Sequence, residues 1–143
     1  MTYKKLIPCI FIYEGNAVKW FDNKEVLSDD VVGLAKRYSE CGADQLIVFD
    51  LSVTDEDHDK SINLMKKINR IIRIPMIAGG NIRRQEDVKK ILYAGAKQAI
   101  VNLSKNGSIE VLEDVSKRFG KEKIAVSLND FDKLYKQRHK IAE

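Results

Sequence analysis

The sequence is poor in the residues that build metal sites and disulfide frameworks. Its two cysteines, Cys9 and Cys41, stand far apart and form no Cys-x-x-Cys pair, so neither kind of site is indicated. We expect both to be buried, reduced thiols. The two histidines, His58 and His139, fall in polar helical stretches without a partner at metal-binding spacing, which predicts surface positions. No metal or other cofactor is implied.

Long apolar runs are also absent, which excludes a membrane-spanning segment. The basic start at Lys4 and Lys5 precedes a run broken by Pro8 and Glu14, so a signal peptide is not predicted and a cytoplasmic location is expected. The formal net charge is +4, with basic and acidic residues interspersed. This pattern lacks the one-sided clustering of a nucleic-acid-binding protein, whereas a small anionic ligand is compatible with it.

What the chain does contain is an alternation of short apolar runs with amphipathic stretches, and this predicts a single α/β domain over residues 1–143 with parallel strands. The length is too short for a complete (β/α)₈ barrel of about 250 residues. The predicted strands are Leu6–Phe11, Leu46–Phe49, Met76–Ala78, Ala99–Val101 and Ile124–Leu128. The predicted helices are Asp29–Cys41, His58–Ile72, Gln85–Ala94, Ser108–Phe119 and Phe131–Glu143. Helix starts are expected at Ser28 or Asp29, Asp57 and Ser108, and helix ends at Gly42, Gly95 and Gly120.

Polar residues and glycines follow the third and fourth predicted strands. Gly79, Gly80 and Asn81 come directly after one strand, and Asn102 and Ser104 after the next. In βα folds the loops after the strands carry the function, and glycines let backbone N–H groups approach an anion. We therefore expect a phosphate to bind between these two loops, near the start of the following helix. A tight turn is the alternative explanation of the two glycines.

Candidates for acid–base chemistry are few. Asp50 ends a strand and is a candidate base or hydroxyl ligand, with a turn or helix cap as the alternative. Asp130 lies just beyond the fifth strand, and capping of the last helix is its alternative role. Lys19, in a hairpin predicted after the first strand, is a candidate ligand contact or simply a solvated lysine.

Nine short motifs, in order along the chain, resemble one family of phosphate-binding barrels from histidine biosynthesis. They are Ile7-Pro8-Cys9, Val18-Lys19, Gly42-Ala43-Asp44, Phe49-Asp50, Ile74-Pro75, Gly79-Gly80-Asn81-Ile82-Arg83, Ala94-Gly95-Ala96, Asn102 and Arg118-Phe119-Gly120. The family comprises the cyclase subunit of imidazole glycerol phosphate synthase and phosphoribosyl-formimino-aminoimidazole-carboxamide ribotide isomerase. The resemblance covers the N-terminal half of these barrels plus the fifth strand. The chain also resembles the N-terminal region of some fused phosphoribosyl-AMP cyclohydrolase/phosphoribosyl-ATP diphosphatase proteins.

The resemblance implies a (βα)₅ half-barrel-like unit of the ribulose-phosphate-binding TIM-barrel type. It places a phosphate site at Gly79, Gly80, Asn81 and Asn102, with Ser104 close by, and Asn81 stands where the family has a third glycine. It also implies two catalytic aspartates, but Phe11 and Asn129 occupy their positions. Two acids are needed because the family's chemistry moves protons at two places.

The expected function is therefore a histidine-biosynthesis-related half-barrel that binds a phosphorylated, phosphoribosyl-type ligand or serves assembly, and that is inactive alone. The alternative is an enzyme, of the cyclase or isomerase type or part of a fused cyclohydrolase/diphosphatase, that becomes active when another copy or segment completes the barrel. Because Leu6–Phe11 and Ile124–Leu128 are expected at or near open sheet edges, a homo-oligomer or a missing C-terminal segment is the expected partner. A flatter doubly wound sheet is a further alternative.

Overall fold

The computed structural model describes residues 4–103, 109–128 and 131–143. Seven strands, five α-helices and a short 3-10 helix (Lys121–Lys123) follow one another along these residues. The strands are β1 (Cys9–Tyr13), β2 (Asn16–Trp20), β3 (Asn23–Ser28), β4 (Leu46–Asp50), β5 (Met76–Gly79), β6 (Gln98–Asn102) and β7 (Ile124–Ser127). The helices are α1 (Val31–Glu40), α2 (Asp55–Ile71), α3 (Gln85–Tyr93), α4 (Ile109–Phe119) and α5 (Phe131–Ala142).

All seven strands form one sheet in the order β3-β2-β1-β4-β5-β6-β7. The five strands β1, β4, β5, β6 and β7 are parallel, while β2 and β3 add an antiparallel hairpin beside β1. The predicted α/β fold with five parallel strands is confirmed, and the hairpin raises the strand count to seven. Because each parallel strand lies beside the next one in the chain, right-handed connections put the helices on one face. This is the winding of a half barrel and not of a doubly wound sheet.

The hydrophobic core lies between the sheet and the helices. Alternate strand residues are buried there, among them Ile10, Leu46, Met76 and Val101, all at most 1% exposed. On the opposite side of the sheet, which we call the helix-free face, lie Phe11, Ile47, Phe49, Ile77 and Ile100. Ile47, Phe49 and Ile77 are only half-buried, although they alternate with fully buried neighbours. In a closed barrel this face would point inward.

The helix ends follow the predicted signals in part. Gly42, Gly95 and Gly120 all have positive φ angles just after α1, α3 and α4, as expected of C-terminal glycines. Two of the predicted N-caps are shifted, and the third, Ser108, lies outside the described residues. Asp30 caps α1 through Gly33 N–H, and Thr54 caps α2 through Asp57 N–H, so α2 begins before the predicted cap Asp57.

Three other expectations need correction. The carboxyl half of β1 is not a sheet edge, because Phe11–Tyr13 pairs with β2. Cys9 and Cys41 are exposed and not buried. Within the described residues β7 does have a neighbour on one side only, as expected of an edge strand. No helix in the described ranges is long and apolar enough to cross a membrane.

Candidate functional site

The predicted site residues gather at the carboxyl edge of the parallel strands. Gly79 ends β5 and pairs with Ile100 of β6, so Asn102, two residues further along β6, lies at the same edge of the sheet as the loop after β5. The alternation along β6 places Asn102 on the helix-free face with Ile100. The residue Asn102 also interacts with other groups of the protein. Ser104 lies outside the described residues.

Close packing accounts for the two glycines before Asn81. A Cβ on Gly80 would lie 2.1 Å from the backbone oxygen of Asp50, and Gly80 has φ +100°. A Cβ on Gly79 would lie 2.8 Å from the Cβ of Ile100. Asn81 follows with φ 59°, a conformation that asparagine tolerates better than most residues. The chain therefore turns sharply off β5 while staying in contact with β4 and β6.

This turn leaves a run of backbone donors without acceptors. In the part of the chain that the structure describes, the N–H groups of Gly80, Asn81 and Ile82 donate no hydrogen bond. The next two N–H groups, of Arg83 and Arg84, both donate to the buried carboxylate of Asp87, at 2.9 and 3.2 Å. The N–H groups left without an acceptor therefore lie in the turn itself, since Asp87 takes up the donors that lead into α3.

Asp50 connects this turn to two neighbouring elements. Its carboxylate points to the helix-covered side and is 2% exposed. It accepts hydrogen bonds from Ser52 N–H and Ser52 Oγ, both at 2.9 Å, and lies 2.5 Å from His58 Nδ1 on α2. The amide nitrogen of Asn81 donates to Ser52 O at 2.8 Å and to Asp50 Oδ2 at 3.2 Å. We call these four residues the Asp50 network.

The network changes the ionisation of both its titratable groups. Burial alone would raise the pKa of Asp50, but hydrogen bonds from His58, Ser52 and Asn81 outweigh it and lower that pKa. The hydrogen bond to Asp50 raises the pKa of His58, although burial opposes this. Since both shifts favour the charged forms, the pair stabilises the fold fully between the ordinary pKa of an aspartate and the ordinary pKa of a histidine. This stabilisation is lost as the pH falls from the aspartate value through the lowered pKa of Asp50, or rises from the histidine value through the raised pKa of His58.

An aromatic cluster occupies the position where the family resemblance placed the first catalytic acid. Phe11 stacks on Phe49 with ring centroids 5.6 Å apart, and Trp20 covers it from the hairpin at 5.1 Å. Phe21 extends the cluster beyond Trp20 at 5.2 Å. Trp20 and Phe21 are about half exposed, at 48% and 54%. Next to the turn after β5, the described part of the helix-free face therefore presents the apolar rings of Phe11 and Phe49.

Lys19 is not brought to this turn. Lys19 lies on β2, which β1 and β4 separate from β5, and its Nζ is 3.8 Å from Glu25 Oε2 with both side chains exposed. Asn129 and Asp130 lie outside the described residues. Among the described residues, no three His, Cys, Asp or Glu side chains are grouped as metal ligands would be.

The structure shows that the surface position predicted for His58 is wrong. His58 is buried, and it lies on the same face of α2 as Ile62, Met65 and Ile68. The sequence did carry this signal, because His58 stands four residues before Ile62 and so continues the buried stripe. This signal is missed when the helix is taken to start at Asp57, because a residue at the very start of a helix need not face the core.

Comparison with known proteins agrees with this fold. Residues 5–142 match the model of the family described as "Histidine biosynthesis protein". Imidazole glycerol phosphate synthase subunit HisF of Exiguobacterium sibiricum is 34% identical over 131 residues, which cover 90% of this chain and 52% of that protein. The subunits of Flavobacterium psychrophilum (36%, 90% and 52%) and Methanococcus vannielii (35%, 90% and 48%) are similar in the same way. The chain thus spans about half the length of these relatives, and it belongs to the histidine biosynthesis protein family.

Proposed function

We propose that this chain binds the phosphate group of a phosphoribosyl-type small molecule at the turn after β5, without catalysing its relatives' reaction. The observation that carries the proposal is the run of N–H groups from Gly80 to Ile82, which donate no hydrogen bond within the described residues. Successive N–H groups in such a turn form a concavity suited to phosphate oxygens. Asn102, at the end of the adjacent strand β6, is the side chain that we expect to contact the same anion.

The aromatic cluster supports the non-catalytic part of the proposal. Phe11 stands where the resemblance implies an acid, and a phenyl ring transfers no proton. Loss of a positioned general acid or base lowers a rate by roughly 10²–10⁴-fold. Asp50 does not replace it from the neighbouring strand, because its carboxylate points to the helices and is engaged by Ser52 and His58.

Sulfate titration tests the binding site, with the ionic strength held constant by chloride. We expect the amide NMR signals of Gly80, Asn81 and Ile82 to shift saturably as sulfate is added. The Asn102→Ala variant should bind about tenfold more weakly, because it loses one hydrogen bond to a charged ligand. Asn63→Ala, on the exposed side of α2, is the matched control and should bind as the unchanged protein does. Shifts that follow ionic strength alone would contradict the proposal.

The second candidate function is an enzyme or assembly unit completed by another copy of the chain. Two observations favour it: the chain spans about half the length of its relatives, and the half-exposed rings of Trp20 and Phe21 border the helix-free face. Exposed apolar rings at a sheet surface favour association, since burying them removes apolar area from water. An unpaired β7 offers a further contact.

We expect the protein to self-associate at micromolar concentration in light-scattering measurements. Trp20→Ser should shift the equilibrium towards monomer, because it removes apolar area beside the helix-free face. Tyr93→Ser is the matched control, since Tyr93 is 77% exposed on the helix side and should leave the mass unchanged. A monomer at every concentration would exclude the second function. Turnover by the associated protein, assayed with the substrates of imidazole glycerol phosphate synthase, would favour it over the first.

A further inference from the structure

We propose that His58 is a positioning and charge-compensating residue of the anion site, so that its protonation tightens anion binding at the turn after β5. The inference rests on the proposed phosphate site and adds a residue that contacts no ligand. It starts from the location of the Asp50 carboxylate. The backbone of Gly80 packs directly on Asp50, and Asn81 Nδ2 lies 3.2 Å from Asp50 Oδ2. The buried carboxylate of Asp50 therefore lies close to the N–H groups of the turn that would hold the anion.

His58 decides whether that negative charge is compensated. Ionised Asp50 accepts hydrogen bonds only, so the 2.5 Å contact places a proton on His58 Nδ1 in both charge states of the ring. Titration of His58 therefore adds or removes the proton on Nε2, which is buried and has no hydrogen-bond partner within the described residues. The geometry of the pair is kept and only its charge changes, from neutral when His58 is protonated to −1 when it is not.

Besides Asp50, two charged groups among the described residues act on the pKa of His58. Asp87 and Lys90, both on α3, act on it in opposite directions, and Asp50 on β4 has the larger effect. The raised pKa of His58 keeps the compensated form populated further towards neutral pH. A dianion at the turn and an uncompensated carboxylate would repel each other. At a separation of several ångströms this repulsion corresponds to roughly tenfold in affinity.

The test measures sulfate affinity from about pH 6 to about pH 9, since sulfate, unlike a phosphate, keeps a constant charge there. The Hα signals of Gly79 and Gly80 report binding, because these protons do not exchange with water. We expect affinity to fall roughly tenfold across this range as His58 loses its proton. By linkage, saturating sulfate should raise the pKa of His58, read from its ring Cε1–H signal, by about one unit.

Two variants separate charge from structure. His58→Asn keeps a donor near the Nδ1 position but does not titrate, so its sulfate affinity should be constant with pH. His139→Gln removes the chain's other histidine, exposed on α5, and should keep the pH dependence. The linked pKa shift is measured on the unchanged protein and needs no variant to fold. Saturable sulfate binding without pH dependence or pKa shift would overturn this inference alone, whereas no binding at any pH would overturn the proposed function as well.

Discussion

Replacing Asp50 with alanine is expected to lower the free energy of unfolding by about 3–5 kcal/mol, the usual cost of removing one partner of a buried ion pair. The cost is high because the buried groups of Ser52 and His58 lose their acceptor together, and Asn81 loses one of its acceptors. Urea denaturation near pH 6, where both members of the pair are charged, measures it. The pKa of His58 should then fall below its ordinary value, since burial remains after the hydrogen bond is lost.

Asp59→Ala is the matched control for this substitution. Asp59 lies on the same helix as His58 but is exposed, so its loss should change the free energy of unfolding by less than about 0.5 kcal/mol. Equal effects of the two substitutions would show that the Asp50 network does not hold the loops together. The same conclusion would follow if the pKa of His58 were unchanged in Asp50→Ala.

The second large effect is expected at Gly80. Gly80→Ala would place a methyl group 2.1 Å from the backbone oxygen of Asp50, at a φ of +100° that alanine rarely adopts. Because backbone and not a movable side chain lies in the way, we expect a loss of about 3 kcal/mol or more in the free energy of unfolding. Sulfate should also bind more weakly to the folded variant, because the turn has to move away from Asp50.

Gly42→Ala separates the two causes of this loss. Gly42 has a similar φ of +90°, but nothing lies within 4 Å of a Cβ added there. Its substitution should therefore cost only the backbone strain, about 1–2 kcal/mol. If Gly80→Ala cost no more than Gly42→Ala in denaturant unfolding, the contact between Gly80 and Asp50 would not be a constraint on the fold.

Much of the fold could be predicted from apolar periodicity and glycines. The runs Leu46–Phe49, Met76–Ala78 and Ala99–Val101 all lie within observed strands, and they are apolar on both faces although helices cover only one of them. The hairpin predicted after the first strand is present, but its strands β2 and β3 are not among the five predicted strands, since Asn23–Ser28 is mostly exposed and carries no apolar alternation. The prediction that Cys9 is buried is wrong for a related reason. Its strand is apolar, but Cys9 lies on the side that the helices leave open.

The candidate site was predictable in position but not in detail. Glycines and amides after β5 and β6 are visible in the sequence, and the topology brings them to one edge. The partnership of Asp50 with His58 was not visible, because it depends on where α2 begins and on which way Asp50 points from its strand. The role of Asp87 depends on the path of a loop, which the types of its residues alone do not determine.

The sequential strand order also has a consequence for how the chain is made. Each parallel strand after β1 pairs with the parallel strand that precedes it in the chain; one α-helix lies between the two, and the connection from β1 to β4 also contains the β2–β3 hairpin. A strand leaving the ribosome therefore finds its partner already synthesised, and no strand has to wait for a distant segment. The pairings are short in sequence, which keeps the entropic cost of closing each loop low. A fold with this order can assemble from its N-terminus while translation continues.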